Sequence, residues 1–303
     1  MTAAESNRML GRPRRTRRMN RRAWIGLGFV LPGIIYFSLF FLYPVLSALS
    51  WSFTNYDLVS EPRYIGLDNF AYMLRDRHFI NGVIVTFKYV LGVVPSVIVT
   101  GFLLALLFNQ AFPGRAFFRT VIFVPYVISI VAASFIWRYV YQPTYGLWPQ
   151  VAGFLHLPQI NFLNDGRYAI WGLVIIAIWR VSGYYMVIFL SGLQNISAEL
   201  YEAAAIDGAG TVTRFRYITL PLMKPIMLFV LIVATIGAFQ AFAPALLVTG
   251  GGPAGATRVL QLYLYETGWL FLRFGYASAI AVFMVLILTA LTLVYMRLVK
   301  VET

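Results

Sequence analysis

Apolar residues run in six long blocks, at about 23–45, 83–108, 117–136, 168–190, 222–248 and 276–298. With about 1.5 Å of rise per helical residue, each is long enough to cross a hydrocarbon core roughly 30 Å thick. The pattern predicts six membrane-spanning helices, which Pro44, Pro95, Pro125 and Pro244 bend or end. A polar, basic tail covers 1–22, and the membrane domain fills 23–303. The first span reads as an uncleaved helix, since a signal peptide has a shorter apolar core. Connectors 46–82, 137–167 and 249–275 are long and rich in Tyr, Trp, Pro and Gly, whereas 109–116 is a tight turn.

Composition agrees. Hydrophobic residues make up 60% of the 303 residues, charged ones only 12%, and mean hydropathy is +0.76. Soluble domains carry about 25% charged residues. The net charge of +13 could point to nucleic acid, but eight of the 24 basic residues lie in the first 22 positions and most others flank the apolar blocks. With both termini in the cytoplasm, 15 basic residues fall on the inner side and eight on the outer, with Arg180 inside the fourth span. Trp24, Trp51, Trp137 and Trp148 near span ends form an interfacial aromatic belt.

Several chemistries are excluded. The absence of cysteine removes disulfides, Fe–S clusters and thiolate catalysis. His78 and His156, both in predicted connectors, are too few for a histidine metal site or a Ser/His relay. None of the 11 acidic residues falls in a predicted span, so a membrane-embedded enzyme lacks its acid–base groups. An ion-coupled secondary transporter, the alternative of another class, lacks an intramembrane carboxylate and visible internal repeats. Lys88, Lys224 and Lys300 follow no GxxxxG pattern, so there is no Walker A cradle for ATP.

Connector 191–221 is unusual. Ser197 is placed to cap a short helix with Glu199 in its first turn, and Asp207-Gly208 supplies a stop. A second short helix is expected from Thr211 to just before Pro221. Ala203, Ala204 and Ala205 let another surface come close, while Glu202, Arg214 and Arg216 offer charge pairing. By itself this describes either an amphipathic connector on the headgroups or a rigid elbow that transmits a push.

Glu202-Ala203-Ala204, three residues, Gly208, nine residues, then Ile218-x-Leu220-Pro221 resembles the EAA signature of ATP-binding-cassette (ABC) importer permeases. The wider chain resembles the carbohydrate class, similar to the first maltose permease. Tyr64–Phe70 resembles that family's GLxNF outer element, and Gly250–Thr257 its Gly-Gly-Pro turn, followed by Tyr263 and Tyr265. The resemblance implies an all-α type I importer permease in a prokaryotic inner membrane. Its implied partners are a second homologous permease, two copies of an ATPase subunit that carry ATP and Mg, and an extracytoplasmic solute-binding protein. It implies an ATPase contact at Glu202, Ala203, Ala204, Asp207, Gly208, Arg214, Ile218, Leu220 and Pro221, and a binding-protein contact at Gly251, Gly252 and Pro253. No cofactor is expected on this chain. The maltose-type relative carries extra N-terminal spans and a large outer domain for which this sequence has no counterpart.

A solute path needs polar or aromatic groups facing the interior of apolar helices. Arg180 leads, with Tyr184 one turn on; Tyr126 and Ser129 follow in span three, and Thr235 and Gln240 in span five. Each also has a structural reading, as a packing aromatic or a hydroxyl bonded to its own helix. The resemblance places the pocket in the middle stretches of spans three to five, although Ala177 and Ala238 stand where the maltose-type relative has asparagines. It implies a sugar as the solute. Glycerol 3-phosphate or a glycerophosphodiester is the alternative, since AAAIDGAG, the Gly-Gly-Pro turn and Arg180 suit that subgroup too.

Overall fold

The computed structural model describes residues 21–298, with side-chain surroundings from Gly28 onward. Residues 1–20, most of the predicted basic tail, and 299–303 lie outside the described residues. The helices in chain order are α1 (Arg21–Phe37), α2 (Tyr43–Trp51), α3 (Asp68–Met73), α4 (Arg77–Asn109), α5 (Arg115–Val127), α6 (Ile130–Val140) and α7 (Leu147–Phe154). They continue as α8 (Ala169–Gln194), α9 (Ala198–Ile206), α10 (Thr211–Arg214), α11 (Leu220–Phe239), α12 (Leu260–Tyr265) and α13 (Phe274–Leu298). Among the described residues the only β pairing is an isolated bridge between Thr54 and Tyr64.

Five helical runs are long and apolar enough to cross a membrane: Gly28–Trp51, Arg77–Asn109, Ala169–Gln194, Thr211–Phe239 and Phe274–Leu298. The third expected span, 117–136, is not one straight helix. It is the pair α5 and α6, bent by 96°. Pro125 removes a donor from the last turn of α5, and Ile128 and Ser129 then take extended angles, with Ser129 as N-cap of α6.

The chain divides at Ser47 into two units. In the first, α1 passes through a π-helical turn, Ser38–Leu42, into α2, with Phe37 and Phe41 stacked at 5.5 Å. In the second, α4 and α8 run parallel. Gly92 lies against Val174, Gly101 against Tyr185 and Met186, and Phe102 meets Phe189 edge-on at 5.3 Å. Small residues allow this approach where no water drives helices together. Thr100 and Ser182 add an interhelical hydrogen bond of 2.9 Å. α11 packs antiparallel to α8, with Met223 and Ile226 over Gly192.

At the end where α4 and α8 begin, Asp76 caps α4 as a buried carboxylate. It accepts hydrogen bonds from the Tyr263 hydroxyl, the Tyr276 hydroxyl (2.7 Å) and the His78 amide (2.9 Å). His78 therefore sits in the first turn of α4, not in a connector. This knot ties α12 and α13 to α4, beside the apolar cluster of Met73, Phe79, Leu260 and Ile280.

Candidate functional site

Midway along α8 lies a cavity of about 440 Å³, walled by α4, α8, α11, the α5–α6 bend and the chain from Gln240 to Pro244. Its polar groups are Tyr89, Tyr126, Arg180, Tyr184, Tyr185 and Gln240. Tyr126 and Tyr184 stack at 4.4 Å with 13° between planes, and the Arg180 guanidinium carbon lies 5.6 Å from the Tyr126 ring centre. The Arg180 Nε is buried without a hydrogen-bond partner.

Four of the expected path residues, Tyr126, Arg180, Tyr184 and Gln240, thus line one cavity. Two do not. Thr235 is buried outside the lining and gives its hydroxyl proton to the Leu231 carbonyl of its own helix (2.7 Å). Ser129 is exposed at the bend and outside the lining. Tyr89 and Tyr185 were not anticipated. Both sit inside predicted spans, where the facing of a side chain depends on which helix packs alongside.

The elbow forms as its caps dictate. Ser197 accepts from the Glu199 amide at 3.3 Å, and α9 ends at Asp207. Gly208 has φ +79°, a left-handed turn that only glycine adopts at little cost. The expected second short helix differs. α10 enters a π-helical turn, Phe215–Thr219, and continues through Pro221 into α11, so the elbow's second limb is the start of a span. In the widened turn the Leu220 amide bonds the Phe215 carbonyl five residues back, and the helix accommodates Pro221 in the following turn. The Tyr201 hydroxyl bridges to the Thr219 hydroxyl at 2.9 Å, locking α9 onto that limb.

Glu202, Ala203, Asp207, Gly208, Leu220 and Pro221 are exposed; Ala204, Arg214 and Ile218 are half-buried. Ile206 and Val212 flank the turn at 87% and 79% exposure. An apolar knuckle with a free carboxylate beside it is therefore displayed, and Glu202 makes no ion pair among the described residues.

At the opposite end, Gly250, Gly251 and Gly255 all have positive φ. The loop is pinned by the Asn81 amide donating to the Gly255 carbonyl (2.9 Å) and by the Thr257 hydroxyl donating to the Gly252 carbonyl (2.8 Å). Gly251 is buried, and Gly252 and Pro253 are half-buried. Beside them a cleft is lined by His78, Asn81 and Arg258, with Arg258 paired to Glu266 at 3.0 Å.

A multi-helix membrane protein with a mid-bundle cavity and a rigid elbow at one end has the architecture of a transport permease. The chain belongs to the binding-protein-dependent transport system inner membrane component family, whose model matches residues 97–301. It is 36% identical to the probable ABC transporter permease protein YesP of Bacillus subtilis, with 94% of this chain and 93% of that one covered. It is 31% identical to the trehalose/maltose transport system permease protein MalF of Thermococcus litoralis (91% and 94% covered). Identity to the sn-glycerol-3-phosphate transport system permease protein UgpA of Yersinia pestis is also 31% (92% and 95% covered). Its fold matches a chain of a bacterial ABC transporter involved in the import of the acidic polysaccharide alginate, with TM-score 0.81, 22% identity and 92% and 96% of the two chains covered. The chain is an inner-membrane permease subunit of an ABC importer and not an enzyme.

Proposed function

We propose that this subunit pairs with a second, homologous permease to form the path for a sugar, and that the 440 Å³ cavity is its half of that path. The elbow end faces the cytoplasm, where two copies of a separate ATPase grip it; the glycine-loop end faces outward and receives a solute-binding protein at Gly251, Gly252 and Pro253. ATP and Mg stay on the ATPase, and this chain holds no cofactor. Closure of the ATPases moves the elbow, and the Tyr201–Thr219 bridge passes that movement into α11, which walls the cavity.

The observation that carries this reading is the exposed knuckle around Glu202 and Ile206, built rigidly and unpartnered within the chain. The sugar class is supported by MalF as a relative. UgpA as a relative, with Arg180 in the cavity, supports glycerol 3-phosphate or a glycerophosphodiester as the second reading. Reconstitution tests the proposal: transport must require the added ATPase and binding protein. Gradient-driven uptake by the permeases alone would place it among secondary transporters.

A further inference from the structure

Arg180 lies about 17 Å along α8 from one end and about 21 Å from the other, as deep in the bundle as this helix allows. A half-buried guanidinium at that depth needs compensation, because the hydration it loses there must be replaced. The cavity supplies little. Its lining contains no Asp or Glu, and its other polar groups are four tyrosine hydroxyls and the Gln240 amide. Arg180 makes no ion pair among the described residues, and its Nε has no acceptor. Within this chain no shift of one spanning helix past another can bring a carboxylate in, since none of its spanning helices carries an acidic residue. The Tyr126 ring covers part of the cation, but a cation–π contact uses the guanidinium face and leaves its in-plane N–H fork free.

We propose that the cavity selects solutes bearing an anionic group, a carboxylate, sulfonate or phosphate on a sugar-sized body, with Arg180 as the counter-charge. The stacked Tyr126–Tyr184 pair provides a flat aromatic wall for the body of the solute, and Gln240 an amide for its hydroxyls. The volume is within the range of sites that enclose small molecules. A neutral sugar also fits sterically, but its hydroxyls would replace a charge-assisted bond with a neutral one about half as strong. The inference rests on the cavity being the transport path.

The chain has no cysteine, so a single cysteine at Gln240 reports on the cavity without background. The assembled transporter carrying Q240C is treated with a methanethiosulfonate reagent while solutes that differ mainly in charge are titrated: digalacturonate against galactobiose, and glycerol 3-phosphate against glycerol. The anionic member of at least one pair should half-protect the cysteine at a concentration about tenfold or more below its neutral partner, as a charge-assisted bond to a half-buried cation gives. R180Q in the same background should remove that difference and R180K retain part of it. Should R180Q fail to assemble, the wild-type pairs decide the matter alone. Equal protection within both pairs overturns the anion assignment, whether the counter-charge comes from the second permease or the hydroxyls suffice, and leaves the path reading intact. Protection by no solute, with Q240C still modified, removes the path reading and the anion assignment together.

Discussion

Gly183 of α8 lies so close to the Ile122 carbonyl of α5 that a methyl group built on it would sit 2.2 Å from that oxygen. Backbone thus touches backbone one residue away from Tyr184, and this contact sets the spacing at which Tyr126 and Tyr184 can stack.

Gly183→Ala should therefore push α5 away from α8. Overpacking of this kind costs about 1–3 kcal/mol, to be read as a lowered melting temperature of the detergent-solubilised protein. Gly237→Ala is the comparison, since a methyl group there meets nothing within 4 Å. Equal destabilisation by both would show that the α5–α8 contact has slack.

The elbow separates shape from charge. Gly208→Val forces a β-branched residue to φ +79° and should distort the turn at a cost of about 1–3 kcal/mol of local strain. Glu202→Lys leaves the fold unstrained, because Glu202 is exposed and unpaired within the chain. Both variants should insert into the membrane, and both should lose co-purifying ATPase. Undiminished ATPase recovery with Glu202→Lys would remove that carboxylate from the contact.

Tyr201→Phe deletes one hydroxyl from the bridge to Thr219. The expected loss of stability is small, about 0.5–1.5 kcal/mol. The informative readout is the ratio of solute transported to ATP hydrolysed, which should fall as α9 decouples from the spanning limb. An unchanged ratio would mean that the push travels through backbone alone.

Acid sensitivity should trace to Asp76. Burial works to raise its pKa, but hydrogen bonds from Tyr263, Tyr276 and the His78 and Phe79 amides outweigh it, and the carboxyl lies below its ordinary 3.8. A depressed folded pKa means stability that is fully present above the unfolded value, about pH 4, and is lost as pH falls through the folded one. Glu266 runs the opposite way. Burial raises its pKa despite Arg258 and His78, so its contribution fades as pH rises through the raised value. Asp76→Asn should flatten the acid limb of melting temperature against pH while costing about 1–3 kcal/mol at neutral pH. An acid limb of unchanged slope would assign the effect elsewhere.

Much of this was readable in the sequence, for identifiable reasons. Span number, the Ser197 cap and the Gly208 turn follow from local rules, and Arg180 stood out because a cation inside an apolar block has few explanations. What escaped depends on tertiary contact. The 96° bend requires both Pro125 and the extended Ile128-Ser129 pair. The passage of α10 through Pro221 requires a π-helical turn with no sequence mark. Thr235 and Gln240 looked alike as polar residues in one span. Thr235 bonds its own helix, whereas Gln240 lies just past the end of α11, where the chain opens into the cavity.

The most direct test of the account is solute uptake into proteoliposomes holding both permeases, with the ATPase, ATP and binding protein supplied or withheld and Glu202→Lys as the paired variant. Uptake should need every component and collapse with the variant while the permeases remain assembled. Uptake that proceeds without the ATPase, or that Glu202→Lys leaves at its full rate, would contradict a transporter driven through this elbow.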